Sequence, residues 1–222
     1  MVRDLQRAAR IAFFAFFAAA AVRPQSAPAP LPLDPLTPEE RQAASSIAYA
    51  DARVSSFLGS GRNRQIYADF ISVKWGSASD QPSGRYADVL FYRYVDDLGI
   101  RALVDLTAGA VLDVAHVNGE SVPITTEEVQ EAANLALADP RVAQLFGGTV
   151  PPFVVATGPA TEEDLNTNRI EGLRTVASST EDPCFQHRCI VLFFRMNNRY
   201  VHMDEVVVDL TTQTVNVGGG AQ

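Results

Sequence analysis

Residues Thr37–Gly59 read TPEERQAASSIAYADARVSSFLG, and residues Thr125–Gly147 read TTEEVQEAANLALADPRVAQLFG. The two stretches align without a gap at a constant offset of 88. Thr, the Glu pair, Gln, several Ala, Asp, Arg, Val and the final Gly coincide. A second phrase follows each of them: VDLTAGAV at Val104–Val111 and VDLTTQTV at Val208–Val215, offset by 104. Two matched phrases in one order mark a duplicated unit. The second copy carries 16 additional residues between its phrases. They are expected in the stretch from Val150 to Pro183, which is rich in loop signals.

Each copy opens on a helix start signal. Thr37-Pro38-Glu39-Glu40 puts Thr at the N-cap, Pro at the first helical position and Glu three residues after the cap, and Thr125-Thr126-Glu127-Glu128 repeats this without the Pro. These Glu pairs read as caps rather than as paired catalytic carboxylates. Ala44, Ile47, Ala48, Val54 and Leu58 recur at helical spacing and predict one apolar stripe. In the second copy Asp139-Pro140 predicts a break and a short second helix over about 141–146.

Alternating apolar runs follow. In the first copy they predict strands near 65–75, 86–95, 101–106 and 111–116. In the second copy CIVLFFRM, YVHMDEVVVDL and QTVNV read as strands joined by NNR and TTQ. The expectation is α+β: two tandem units, each a helix on an antiparallel sheet of three or four strands, a cystatin-like two-layer arrangement. In VDLT, Val and Leu should face the helix, while Asp and Thr hold the turn.

Charge and the amino terminus bound the function classes. Net charge is −8, and the first thirty residues carry four Arg against one Asp, so the remainder sits at about −11. Such a surface disfavours nucleic acid and anionic membrane. MVRDLQRAAR followed by IAFFAFFAAAAV has the order of a secretory signal peptide, a charged leader before a short apolar run. The rival reading is an uncleaved anchor, although a span takes about 20 apolar residues. The expected organisation is therefore a signal peptide at 1–26, a Pro-rich linker at 27–35, a first unit at 36–118 and a second at 119–222. The protein is expected to be exported, periplasmic or secreted.

The linker PLDPLTPEE and the stretch from Gly99 to Val142 resemble the two small amino-terminal domains of copper amine oxidases, called N2 and N3. The resemblance rests on the order of Val104-Asp105-Leu106, Gly119, Pro123, Thr125 to Glu128 and Asp139-Pro140. It implies a helix packed on a short antiparallel sheet in each unit. In that family a quinone cofactor comes from a Tyr in an N-Y-D/E motif, and copper takes an H-x-H pair plus a third His. None of the six tyrosines here stands in such a motif, and His116, His187 and His202 are not paired that way. No catalytic residue, metal or cofactor is expected on this chain. The expected role is an accessory subunit or binding module for an extracytoplasmic protein partner, such as a separately encoded amine oxidase catalytic chain. A small-ligand carrier or small enzyme with a pocket between the units is the alternative, and a structural or inhibitory module is a third.

Three local features stay open. Cys184 and Cys189 in CFQHRC read as a disulfide in an exported chain. The alternatives are a metal site with Cys189, His187 and His202, or a redox dithiol. Arg62 and Arg64 read as solvated, or as an anion contact. Along YADVLFYRYV and CIVLFF both strand faces are apolar, where a free-standing unit would leave one face polar. The other unit, a protein partner or a ligand must then cover Leu90, Tyr92, Tyr94, Val191 and Phe193.

Overall fold

The computed structural model describes residues 34–70, 84–156, 167–177 and 179–218, with the side chains of 70 and 203–205 left aside. The proposed signal peptide and most of the Pro-rich linker lie outside the described residues. The elements run α1 (Pro38–Ala50), α2 (Ala52–Leu58), β1 (Asn63–Phe70), β2 (Tyr86–Arg93), β3 (Leu98–Asp105), β4 (Ala110–Asn118), α3 (Thr126–Ala138), α4 (Pro140–Leu145), β5 (Val154–Val155), β6 (Arg169–Thr175), β7 (Cys189–Met196), β8 (Arg199–Asp209) and β9 (Thr214–Val217). The fold is α+β. Helices α1 and α2 precede a four-stranded sheet β1-β2-β3-β4, and α3 and α4 precede a five-stranded sheet β5-β6-β7-β8-β9.

Both helix starts form as their sequences predict. Thr37 Oγ1 accepts from the Glu40 N–H while Glu40 accepts from the Thr37 N–H, and Thr125 with Glu128 closes the same reciprocal box. The single helix expected for the first copy is corrected. It breaks at Asp51, whose carboxylate caps α2 through the Arg53 N–H, just as Asp139 caps α4 through the Arg141 N–H. A cap carboxylate suffices for the break, and Pro140 is dispensable to it. Each Arg also turns its guanidinium onto its own cap Asp and donates to a strand carbonyl, Arg53 to Val111 O at 3.1 Å and Arg141 to Val215 O at 2.7 Å. These carbonyls lie on β4 and β9, the last strand of each sheet.

The second sheet departs from the expected meander of three or four antiparallel strands. The stretch after α4 supplies β6, which pairs antiparallel with β7, and the two-residue β5, which pairs parallel with β6. Its strands are short and interrupted by Gly172, so no apolar run advertised them. Gly172 is itself required. A Cβ there would come within 2.8 Å of Val129 Cγ1, so α3 could not sit this close to β6.

Two cores result. Leu36, Ala44, Ala48, Val54 and Leu58 pack on the inward face of the first sheet at Ala87, Val89, Phe91, Ile100, Ala102 and Val104. The second core joins α3, α4 and the inward face of the second sheet, through Ile170, Ile190, Leu192, Phe194, Val206 and Val208. It also takes in Leu90, Tyr92 and Tyr94 from the outward face of the first sheet. The first sheet is thus covered on both sides by its own chain, which answers its two apolar faces.

Candidate functional site

The repeated phrases build a repeated clamp. Arg85, one residue before β2, donates Nε to Glu40 Oε1 and Nη2 to Glu40 Oε2 at 2.8 Å each, and its guanidinium also reaches the carbonyls of Asp34 and Pro35. Arg188, one residue before β7, donates to both Glu128 oxygens at 3.0 and 2.8 Å and to the carbonyls of Val122 and Pro123. The N–H of each Arg then goes to the Thr hydroxyl of VDLT, Thr107 or Thr211. Asp105 accepts from the N–H groups of Thr107 and Ala108, and Asp209 from those of Thr211 and Thr212. The doubled phrase is therefore a turn that fixes an arginine, and the arginine fixes the chain leading into each helix. The capping Glu carries a second duty that the capping pattern alone did not reveal. The signal was present: an Arg stands directly before YADVLF and CIVLFF in the two copies.

The two clamps differ in burial. Arg85 and Glu40 side chains keep 10% and 20% of their exposure, whereas Arg188 and Glu128 keep none. The first sheet makes the difference. Tyr94 Oη donates to Glu128 Oε1 at 2.7 Å, and the Arg188 guanidinium lies over the Tyr92 ring at 4.5 Å. Burial alone would raise the Glu128 carboxyl, but the hydrogen bonds and charge of Arg188, joined by Tyr94 and Thr125, bring it below its usual range. Burial pushes both phenols up, and the carboxylates that accept from them, Asp97 for Tyr92 and Glu128 for Tyr94, push the same way.

Leu90, Tyr92 and Tyr94 are consequently not a surface for a partner; they are buried within the chain at the junction of its two halves. Arg62 and Arg64 lie at the junction, their side chains 31% and 26% exposed. Both pair with Glu131 on α3, and Arg62 also donates to the Leu210 carbonyl. On the far side of the junction Arg174 from β6 holds both Asp97 oxygens at 3.0 Å and reaches Gly119 O. The two halves are pinned at both ends by arginine–carboxylate pairs around an apolar centre.

Among the described residues, no α helix covers the outward face of the second sheet in this way. Leu173, Val191 and Val207 lie side by side across β6, β7 and β8. Leu173 is 59% exposed and Val191, Val207 and Phe193 are half-buried. Tyr200, 47% exposed, lies 6.4 Å from Phe193, ring centre to ring centre, and donates to Glu171.

Cys184 and Cys189 form a disulfide with a Cα–Cα distance of 5.5 Å. That corrects the two alternatives: Cys189 is no thiolate ligand, and no free dithiol is present among the described residues. Nor do the described residues gather three or more His, Cys, Asp or Glu side chains at metal-binding distance. His202 stacks edge-on against Phe146, and His187 Nδ1 lies 2.6 Å from Asp209 Oδ2. The disulfide loop meets the β2–β3 turn of the first half in a cleft of about 500 Å³ that His187, Phe185 and Val95 help to line.

No family model and no curated protein matches the sequence. Among solved structures, a copper-containing benzylamine oxidase from Hansenula polymorpha is similar in fold, with a TM-score of 0.51 and 17% identity over 84% of this chain. This chain spans 29% of the length of that oxidase. The likeness is one of fold, and it agrees with the resemblance to amine oxidase amino-terminal domains.

Proposed function

We propose that this chain is an exported, non-catalytic docking module, an accessory subunit that binds a larger extracytoplasmic protein through the outward face of its second sheet. The observation that carries the reading is the contrast between the two sheets. The first sheet's outward face is covered by the second half of the chain; on the second, no described helix covers exposed Leu173 and Tyr200 or half-buried Val191, Phe193 and Val207. A sheet face that combines an exposed leucine and tyrosine with half-buried valines and a phenylalanine suits a protein interface. The fold likeness to an oxidase about three times as long supports a partner of the copper amine oxidase class, encoded separately. A signal peptide at 1–26 and the Cys184–Cys189 bond fit an oxidising compartment.

The test is isolation of the native protein from the extracytoplasmic fraction with a photo-crosslinker at position 173 and, as control, at exposed position 39. A copper-containing companion at fixed ratio, crosslinked from 173 and not from 39, is expected, together with a mass lacking the first 26 or so residues. A lone, full-length, metal-free monomer would defeat the proposal. Leu173→Asp should abolish the complex while changing stability by no more than about 0.5 kcal/mol, as surface substitutions do.

A further inference from the structure

The second half carries one arrangement that the repeat does not require. In the first half the residue before the clamp arginine is Gly84, and Asp105 serves the VDLT turn alone. In the second half that residue is His187, and Asp209 serves both the turn and the imidazole. Asp209 Oδ1 accepts from the N–H groups of Thr211 and Thr212, and Oδ2 accepts from Thr212 Oγ1 at 2.7 Å and faces His187 Nδ1 at 2.6 Å. With both oxygens accepting, the carboxylate requires the proton on Nδ1, so in the neutral imidazole Nε2 carries the lone pair. The Asp209 side chain is only 3% exposed, so the imidazole is held on a rigid support, yet His187 keeps 30% of its own exposure.

That exposed edge borders open space. His187 and Gln186 line the cleft of about 500 Å³ between the halves and also a smaller one of about 230 Å³ beside it. The larger cleft has an apolar side of Val95, Leu98 and Phe185 and a polar side of Asn118, Gln186 and the carboxylates of Asp96, Asp97 and Glu120, of which Asp96 pairs with Arg93 and Asp97 with Arg174. Val95 and Phe185 are exposed large apolar side chains from different halves, and the disulfide brackets the loop that bears Phe185 and His187. An oriented imidazole acceptor beside an apolar wall is the composition of a small-molecule site, where a few placed polar groups fix a mostly apolar ligand.

We infer that the cleft between the halves binds a small aromatic ligand with a hydroxyl group, its ring against Val95, Leu98 and Phe185 and its O–H donated to His187 Nε2. The site is separate from the outward sheet face and stands without the docking role. It is tested with p-cresol, a phenol that stays un-ionised at neutral pH, as probe on the full mature chain, followed by calorimetry and by imidazole nitrogen shifts; only His116, His187 and His202 need assignment. Saturable binding with a shift confined to His187 Nε2 is expected, and p-methylanisole, which lacks the hydroxyl, should bind at least tenfold more weakly. His187→Ala should lose at least tenfold in affinity. Val95→Trp, at an exposed position that leaves His187 and Asp209 in place, should block the cleft to the same degree. The inference is overturned by no binding up to millimolar probe, by equal affinity for the two probes, or by binding that survives both substitutions.

Discussion

Replacing Arg188 with Met should be among the most damaging single changes in this protein, and comparison with Arg85→Met tells why. The two arginines make the same contacts: two carboxylate oxygens of a capping Glu, and two carbonyls of the chain ahead of the helix. If the hydrogen-bond pattern alone set the cost, the two substitutions would be equally harmful. Burial argues otherwise. Arg188→Met leaves Glu128 as a wholly buried carboxylate with only Tyr94, Thr125 and its helix start for company. Breaking one side of a buried pair costs about 3–5 kcal/mol. At the first clamp water reaches Glu40 and can take over from the lost guanidinium, so about 1 kcal/mol is expected there. Urea unfolding of the two variants should show that gap as a difference in midpoint at similar slope. In heat it should appear as a melting-point loss of about 10 °C for Arg188→Met against about 3 °C for Arg85→Met. The double variant Glu128→Met with Arg188→Met should recover most of the loss, since no unpaired charge remains. Equal destabilisation by the two single variants would refute the role assigned to the first sheet in sealing the second clamp.

Alkaline pH should weaken the fold through the junction. Tyr92 and Tyr94 have raised folded-state pKa values, so their stabilisation is complete below the unfolded value near 10 and is lost as pH rises beyond it. Two phenols that ionise only when unfolded contribute a limiting slope of about 2.7 kcal/mol per pH unit above that value, on top of smaller contributions from Tyr49, Tyr67 and Tyr200, and Tyr94→Phe should remove about 1.4 kcal/mol per pH unit of it in urea titrations. Removing the disulfide with Cys184→Ser and Cys189→Ser should cost about 2 kcal/mol, the loop-closure value for so short a ring. The Arg188 clamp should persist in that variant, as Arg85 holds without a disulfide. Gly119→Ala should cost about 3 kcal/mol or more by calorimetry, because a Cβ there would overlap the backbone carbonyl and carboxylate of Asp97, which Arg174 holds in place.

The duplicated phrases made the helices, their capping boxes and the VDLT turns legible, because each is a local arrangement whose residues lie within a few positions of one another. What the alternation along YADVLFYRYV could report was that both faces are apolar. It could not report that Leu90, Tyr92 and Tyr94 meet the core of α3 while no described helix covers Phe193, since periodicity describes a strand's own faces and not what covers them. The Arg85 and Arg188 clamps were hidden for a related reason. A guanidinium reaching back 45 residues to Glu40 or 60 to Glu128 has no local spacing rule. Strand β6 escaped notice because RIEGLRT alternates poorly and carries Gly172 where α3 presses closest. The break at Asp51 was legible in principle from Asp51 and Arg53, which repeat as Asp139 and Arg141, but without a proline the pattern looked like continuous helix.

Arg53 and Arg141 bear on how this protein can meet others. A sheet's outer strand ordinarily offers its idle carbonyls to any extended chain that comes alongside, whether a peptide or another copy of itself. Here a guanidinium already occupies such a carbonyl on β4 and on β9, and β4 is further distorted by a bulge where Leu103 and Val104 change register. Strand addition alongside β4 or β9 is obstructed at these points. Along these two strands the fold opposes the backbone zippering and runaway polymerisation that open strands invite, and leaves side-chain shape as what they present.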